Sequence, residues 1–146
     1  MIHPTAIVSP EAELGEGVEV GPFAIIEKRV RIGSLAMIGG GAMVVMDVPP
    51  FAVAAGDRAR LLGINRIGLK RKGLSAEAIR NIQEAYRILF RSGLLQESAL
   101  ERLEKEIPPT VPGGPEVGHL VGFVRAPGRG ITRFRPDRKA PDPSAD

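Results

Sequence analysis

The sequence predicts a short parallel β-helix followed by a small helical unit. Branched aliphatic residues recur at every sixth position through the first 44 residues, whereas apolar residues after residue 75 follow helical spacing. A period of six matches neither an α-helix face, which repeats every ~3.6 residues, nor a two-sided strand. It matches a short strand followed by a turn, repeated around a narrow coil. The eight aliphatic residues are Ile2, Val8, Leu14, Val20, Ile26, Ile32, Ile38 and Val44.

Each hexad also places a small residue two positions before its aliphatic residue. We expect the aliphatic side chain to point inward from a flat face and the small residue to lie at the tapered corner. Glycine follows four of the aliphatic residues, at positions 15, 21, 33 and 39, where we expect it to supply the positive φ of a tight turn. Three hexads close one triangular coil, so eight hexads make fewer than three coils. A stack this short needs support from another copy or from the C-terminal unit.

The repeat ends at Asp47-Val48-Pro49-Pro50, because two consecutive prolines remove backbone donors and restrict the residues before them. Residues 51–55 allow one terminal strand, and a polar, basic stretch then leads to residue 73. The β-helix is therefore predicted to occupy residues 1–56, with a basic linker after it.

Three helices are expected after the linker. Ser75 is a good N-cap for the first helix, which Gly93 ends; a second ends at Pro108-Pro109, and a third begins near Pro115. We assign residues 57–125 to the linker and this three-helix domain, and expect the proline- and charge-rich residues 126–146 to be disordered. The apolar stripes of the helices contain Ile79, Ile82, Tyr86 and Leu89, then Leu100, Leu103 and Ile107, then Val117, Leu120, Val121 and Val124.

Composition sets the expected compartment and partners. The chain has no cysteine, no apolar run long enough to span a membrane, and no start typical of a signal peptide, so we expect a cytoplasmic protein. Its net charge of +3 conceals a local basic zone, since residues 57–91 carry nine positive and three negative charges. Such a zone favours an acidic protein, a phosphate or a nucleic acid. We rank nucleic acid last and expect none, because aromatic residues are only 4% and no recognised motif accompanies the charges.

The sequence offers little for catalysis. A base near neutral pH is most often a histidine, and the chain has only His3 and His119, for which surface or packing roles are expected. Without cysteine, and without the spacing of a Ser-His-Asp triad or a zinc site, we predict no catalytic residue, no metal site and no cofactor.

Several stretches resemble the UDP-N-acetylglucosamine O-acyltransferase family of lipid A synthesis. The resemblance extends from residue 1 to about residue 134, and the stretches that carry it lie in the first hexads, at the end of the repeat, in the basic zone and in the first helix. They are His3-Pro4-Thr5-Ala6-Ile7-Val8, Asp47-Val48-Pro49-Pro50, residues 63–73 (GINRIGLKRKG) and residues 85–93 (AYRILFRSG).

The resemblance implies a left-handed β-helix, a parallel homotrimer, and transfer of an acyl chain from acyl carrier protein to UDP-N-acetylglucosamine. It also implies that Asn65 and Arg71 bind the nucleotide sugar or acyl product. The basic residues that would meet the acidic carrier protein are Arg66, Lys70, Arg71 and Lys72.

The sequence departs from the family in its length. The family places further coils before the segment that corresponds to residues 47–50, and those coils contain its catalytic histidine, which no residue of this chain matches. Ile67 also stands where the family generally has an acidic residue. We therefore interpret the chain as an internally shortened acyltransferase that is inactive. The alternatives are a catalytically silent trimeric scaffold, natural or engineered, and a module that binds the UDP-sugar or the carrier protein without turnover.

Overall fold

The β-helix begins the fold. The structure, a computed structural model, describes residues 1–136. Seven two-residue strands pair in parallel, each with a strand three hexads away, so Ile7 lies beside Ile25 and Ile25 beside Met43. The pairing confirms that three hexads make one turn of the coil. The strands are β1 (Ile7–Val8), β2 (Glu13–Leu14), β3 (Glu19–Val20), β4 (Ile25–Ile26), β5 (Arg31–Ile32), β6 (Met37–Ile38) and β7 (Met43–Val44).

Three flat faces enclose the interior of the coil. One contains β1, β4 and β7, the second contains β2 and β5, and the third contains β3 and β6 and continues into β8 (Ala52–Ala55) and β9 (Arg60–Ile64). The hexad aliphatic residues from residue 20 onward are at most 3% exposed, and the small corner residues from residue 24 onward are at most 1% exposed. The predicted orientation of both classes is confirmed in these coils.

The expectation about glycine is wrong in its physical reason. Positive φ falls two residues later than predicted, and it recurs every six residues at Gly17, Phe23, Arg29, Leu35 and Gly41. The glycines at positions 15, 21 and 33 instead face the backbone of the next coil; a Cβ on Gly15 would lie 2.6 Å from the Ser34 nitrogen. They are required for close backbone approach.

The segment predicted as a linker is ordered. β9 pairs antiparallel with β8 and so extends one face of the β-helix, and α1 (Arg66–Arg71) follows it directly. Two apolar residues within this charged stretch are buried: Leu61 is 2% exposed and Leu69 is 0% exposed. They attach the strand and the helix to the core.

Three further helices form the C-terminal unit, so residues 1–136 contain four helices where three were predicted. They are α2 (Ala76–Arg91), α3 (Gln96–Glu106) and α4 (Gly114–Arg125), and each packs against the other two. The Ser75 side chain accepts a 3.1 Å hydrogen bond from the Ala78 nitrogen, as expected of an N-cap. Every predicted residue of the three apolar stripes is at most 6% exposed.

The first part of the predicted tail is also ordered, which corrects the expectation of disorder from residue 126. Asp47 and Ile131 form a bridge, as do Leu61 and Phe134, and Thr132 is 3% exposed. Backbone hydrogen bonds from Asp47 and Leu61 fix the position of this segment. The composition of residues 126–136 does not predict these bonds. Residues 137–146 of the predicted tail lie outside the described residues.

A buried ion pair joins the parts of the fold. Asp47 is fully buried, and its carboxylate accepts hydrogen bonds from Arg31 Nε at 3.0 Å and from the Arg129 backbone nitrogen at 3.2 Å. The Arg31 guanidinium lies 4.2 Å from the centre of the Phe123 ring and donates to the carbonyls of Phe123 and Ala126. One charge pair therefore connects the β-helix, the end of α4 and the C-terminal segment.

Candidate functional site

Asn65, predicted to bind substrate, is the N-cap of α1. Its Oδ1 accepts from the Gly68 nitrogen at 3.1 Å, and its Nδ2 donates to the Leu35 carbonyl at 2.9 Å. The residue is 9% exposed, and its backbone nitrogen donates to the Phe51 carbonyl. Both ends of the amide are therefore engaged within the fold, and this arrangement holds α1 against a corner of the β-helix. Asn65 therefore positions the first turn of α1 relative to Leu35.

A cavity of about 520 Å³ lies beneath α1, between the helix and the third face of the β-helix. Its apolar lining residues are Leu35, Met37 and Ile67, and its basic lining residues are Arg71 and Lys72. Ile67 is 66% exposed, so an apolar side chain faces solvent at the mouth of a partly charged cavity. Arg71 can pair with two phosphate oxygens at once, because its guanidinium presents parallel donors. The remaining lining residues are Gly17, Glu19, Asn65 and Gly68.

The predicted carrier-binding residues divide between two surfaces. Arg71 and Lys72 line the cavity beneath α1, and Lys72 Nζ lies 3.5 Å from a Glu16 carboxylate oxygen. Arg66 instead lines a separate cleft beside α2 and donates to Gln83. Five residues along a helix correspond to about 140° beyond one full turn, so Arg66 and Arg71 lie on different sides of α1. Lys70 is exposed and lines neither cavity.

Neither histidine lines the cavity beneath α1. His3 lies in the first coil, where its Nδ1 is 2.9 Å from the Thr5 hydroxyl oxygen. His119 lies on α4, with its ring centre 6.1 Å from that of Phe51 and its Nε2 3.5 Å from the Ser34 hydroxyl oxygen. These contacts agree with the packing and surface roles expected for both residues.

Tyr86 on α2 is buried and contacts the end of the β-helix. Its hydroxyl donates a 2.5 Å hydrogen bond to the Pro50 carbonyl, and burial raises the pKa of Tyr86 well above its ordinary value, so the phenol stays neutral and donates. This bond joins α2 to the end of the β-helix. Within residues 1–136, no group of three or more potential metal ligands is present, and no helix is long and apolar enough to cross a membrane.

The apolar lining of the cavity was not predicted from the sequence. Leu35 and Met37 occupy outward positions of the hexads, and Met37 is 39% exposed. Their apolar character at positions where polar residues are expected was the available signal. It could not reveal that α1 returns to cover them, since that contact joins residues far apart in sequence.

The chain is similar to known UDP-N-acetylglucosamine O-acyltransferases. The model of the family described as UDP N-acetylglucosamine O-acyltransferase, domain 2, matches residues 47–132. The acyl-[acyl-carrier-protein]–UDP-N-acetylglucosamine O-acyltransferase of Myxococcus xanthus is 47% identical over 116 residues, which are 80% of this chain and 43% of that protein. The enzyme of the same name from Burkholderia orbicola is 42% identical over 133 residues, with 87% of this chain and 51% of that protein covered.

A solved structure shows the same arrangement. The UDP-N-acetylglucosamine O-acyltransferase of Moraxella catarrhalis superposes with a TM-score of 0.83 at 32% identity, over 90% of this chain and 50% of that one. A superposition preserves handedness, so this β-helix has the hand of its relatives, which the resemblance gives as left-handed. The chain spans about half the length of the curated relatives it matches.

Proposed function

Because the chain belongs to the UDP-N-acetylglucosamine O-acyltransferase family, we propose that it binds a UDP-sugar and an acyl carrier protein, the substrates named for its relatives, without catalysing acyl transfer. The UDP-sugar would enter the cavity beneath α1. The observation that carries the proposal is that the basic residues Arg71 and Lys72 line the same cavity as the apolar residues Leu35 and Met37.

The chemistry of the cavity suits a nucleotide sugar. A diphosphate requires charge-assisted donors, which Arg71 and Lys72 supply. The flat base requires an apolar surface, which Leu35, Met37 and Ile67 supply. A volume of about 520 Å³ is within the range of roughly 300–1,000 Å³ that small-molecule sites occupy. The carrier protein would approach from the same side, where the charges of Arg71 and Lys72 would attract its acidic surface.

The proposal that turnover is absent rests on the positions of the two histidines. Transfer of an acyl group to a sugar hydroxyl needs a base within hydrogen-bond reach of that hydroxyl. The two histidines of this chain lie outside the cavity beneath α1, and the one carboxylate within residues 1–136 that lines it, Glu19, comes from an exposed position of β3. We infer that the bound sugar has no base poised to remove its proton.

A titration with UDP tests the binding proposal. Amide shifts in the 65–72 region should saturate, and Arg71→Ala should weaken binding at least tenfold because it removes the paired phosphate donors. Arg102→Ala, which removes an equal charge from α3, is the matched control and should leave binding unchanged. Absence of saturable shifts, or equal loss in both variants, would exclude the UDP site.

An acylation assay tests the second half of the proposal independently. Protein mixed with acyl carrier protein thioester and UDP-N-acetylglucosamine should yield no acylated sugar above the no-protein control. Product above that level would show turnover and refute the inactive assignment, whatever the UDP titration shows.

The homotrimer is a separate proposal. It is supported by an outward ladder of apolar residues on one face, where Ile7 is 65% and Ile25 38% exposed with Met43 beside them. An exposed ladder of this kind favours association. Light scattering should give the mass of three chains, and the scaffold alternative predicts that trimer together with no UDP binding. A monodisperse monomer would contradict both versions.

A further inference from the structure

A second concave surface lies on the other side of α1. We call it the arginine cleft; it runs along α2 and has a volume of about 840 Å³. It shares no lining residue with the cavity beneath α1. Its charged residues are Arg66 from α1 and Arg80, Glu84, Arg87 and Arg91 from α2.

The positive charges of the arginine cleft are largely uncompensated. Within residues 1–136 Glu84 is the one acidic residue that lines the cleft, and both of its carboxylate oxygens accept from Arg87, at 2.5–3.0 Å. The hydrogen bonds from Arg87 hold the pKa of Glu84 below its ordinary value, so the carboxylate stays ionised and paired with Arg87. Within residues 1–136, no carboxylate pairs with Arg66, Arg80 or Arg91.

Two ends of the cleft differ in chemistry. At one end Arg66 donates to Gln83, which lies about one turn along α2 from Arg80, and all three residues line the cleft. At the other end the Arg91 guanidinium lies 4.4 Å from the centre of the Phe134 ring. Arg80 and Arg91 are about 16 Å apart along the helix axis, too far for one small anion to reach both.

The cleft also contains apolar surface that an inorganic ion would not use. Leu62 is 61% exposed, and Ile64, Tyr86 and Phe134 line the cleft beside it. Arginine forks suit phosphate oxygens, and neighbouring apolar side chains suit a hydrocarbon or ring. A concave site of this size fits a small molecule better than an extended macromolecule.

We propose that the arginine cleft binds an organic phosphate, with the phosphate between Arg66 and Arg80 and the apolar body lying over Leu62 towards Phe134. This site is independent of the UDP-sugar site proposed above, since it is built from different residues on the opposite side of α1. A large acidic protein surface is the competing occupant.

Titrations with three probes test the proposal: octyl phosphate below its micelle concentration, inorganic phosphate, and octanol. Octyl phosphate should bind saturably and at least tenfold more tightly than either of the other probes. Arg80→Ala should weaken octyl phosphate at least tenfold, whereas Lys105→Ala, an equal loss of charge on α3, should leave it unchanged. Leu62→Ser should weaken octyl phosphate and leave inorganic phosphate as it was.

Three outcomes would overturn the proposal. Octanol binding as tightly as octyl phosphate would show an apolar groove with no phosphate site. Equal losses in Arg80→Ala and Lys105→Ala would show only general attraction to charge. Association with phosphatidic acid vesicles, or with acyl carrier protein, without binding of monomeric octyl phosphate would assign the arginines to a lipid or protein surface. Circular dichroism of each variant establishes that the fold is retained.

Discussion

The β-helix and the helical unit bury their apolar residues by different means. In the β-helix a side chain is buried only when coils stack above and below it: Ile38 is fully buried between β3 and β8, whereas Ile2, with the same place in its hexad, is 46% exposed. In the helical unit, stripes from three helices converge on one another, and Ile82, Leu100 and Leu120 are all fully buried. Position within a repeat therefore predicts direction, while the number of neighbours decides burial.

The largest effect is expected when the same residue type is shortened in the interior of the stack and at its first coil. Ile38→Ala should reduce the free energy of unfolding by about 4 kcal/mol, because it leaves a cavity in a closed interior. Ile2→Ala should reduce it by less than about 1 kcal/mol, because nearly half of that side chain already faces solvent. Denaturant titration of both variants measures the difference. Equal losses would contradict the dependence on stacking.

Loss of the ion pair that connects the two regions should lower the free energy of unfolding almost as much. Asp47→Ala should cost about 3 kcal/mol, because it leaves the largely buried Arg31 guanidinium without its partner. Hydrogen exchange should also rise at the Arg129 and Thr132 amides, which pair with Asp47. Asp57→Ala, at an exposed pair with Arg58, is the control and should change stability by less than about 0.5 kcal/mol. A similar small effect at Asp47 would show that the regions are joined by packing alone.

A milder change tests the join from the side of the helices. Tyr86→Phe should cost about 1.5 kcal/mol, since the ring still fills its place but the Pro50 carbonyl loses its donor. Thermal unfolding and denaturant titration measure the loss. Unchanged stability would mean that another donor, or water, satisfies this carbonyl.

The smallest expected effect concerns one end of the helical unit. Ser75→Ala should cost about 1 kcal/mol, because the Ala78 nitrogen at the start of α2 loses its acceptor. Ser98→Ala, an exposed position within α3, is the matched control and should be neutral within a few tenths of a kcal/mol. Equal changes in the free energy of unfolding would argue against capping as the role of Ser75.

The candidate site was predictable only in part. Arg71, which the resemblance suggested as a substrate-binding residue, and Lys72, which it suggested as a carrier-binding residue, both line the cavity beneath α1. The role of Asn65 was not predictable, because its partners are the Leu35 carbonyl and the first turn of α1. Arg66 and Arg71 are close in sequence, but the turn of α1 directs them to different cavities. Short-range charge density does not specify which side of a helix each charge occupies.

The repeat, its inward residues and the helices α2–α4 could all be predicted from the amino-acid sequence. These features depend on local periodicity, caps and prolines, which act within a few residues. Only the tertiary structure decided that Phe23, Arg29 and Leu35 adopt positive φ, that residues 129–134 pair with the end of the repeat, and that the basic zone lines two cavities. Each of these depends on backbone or side chains brought together from distant parts of the chain, where packing and buried hydrogen bonds outweigh local preference.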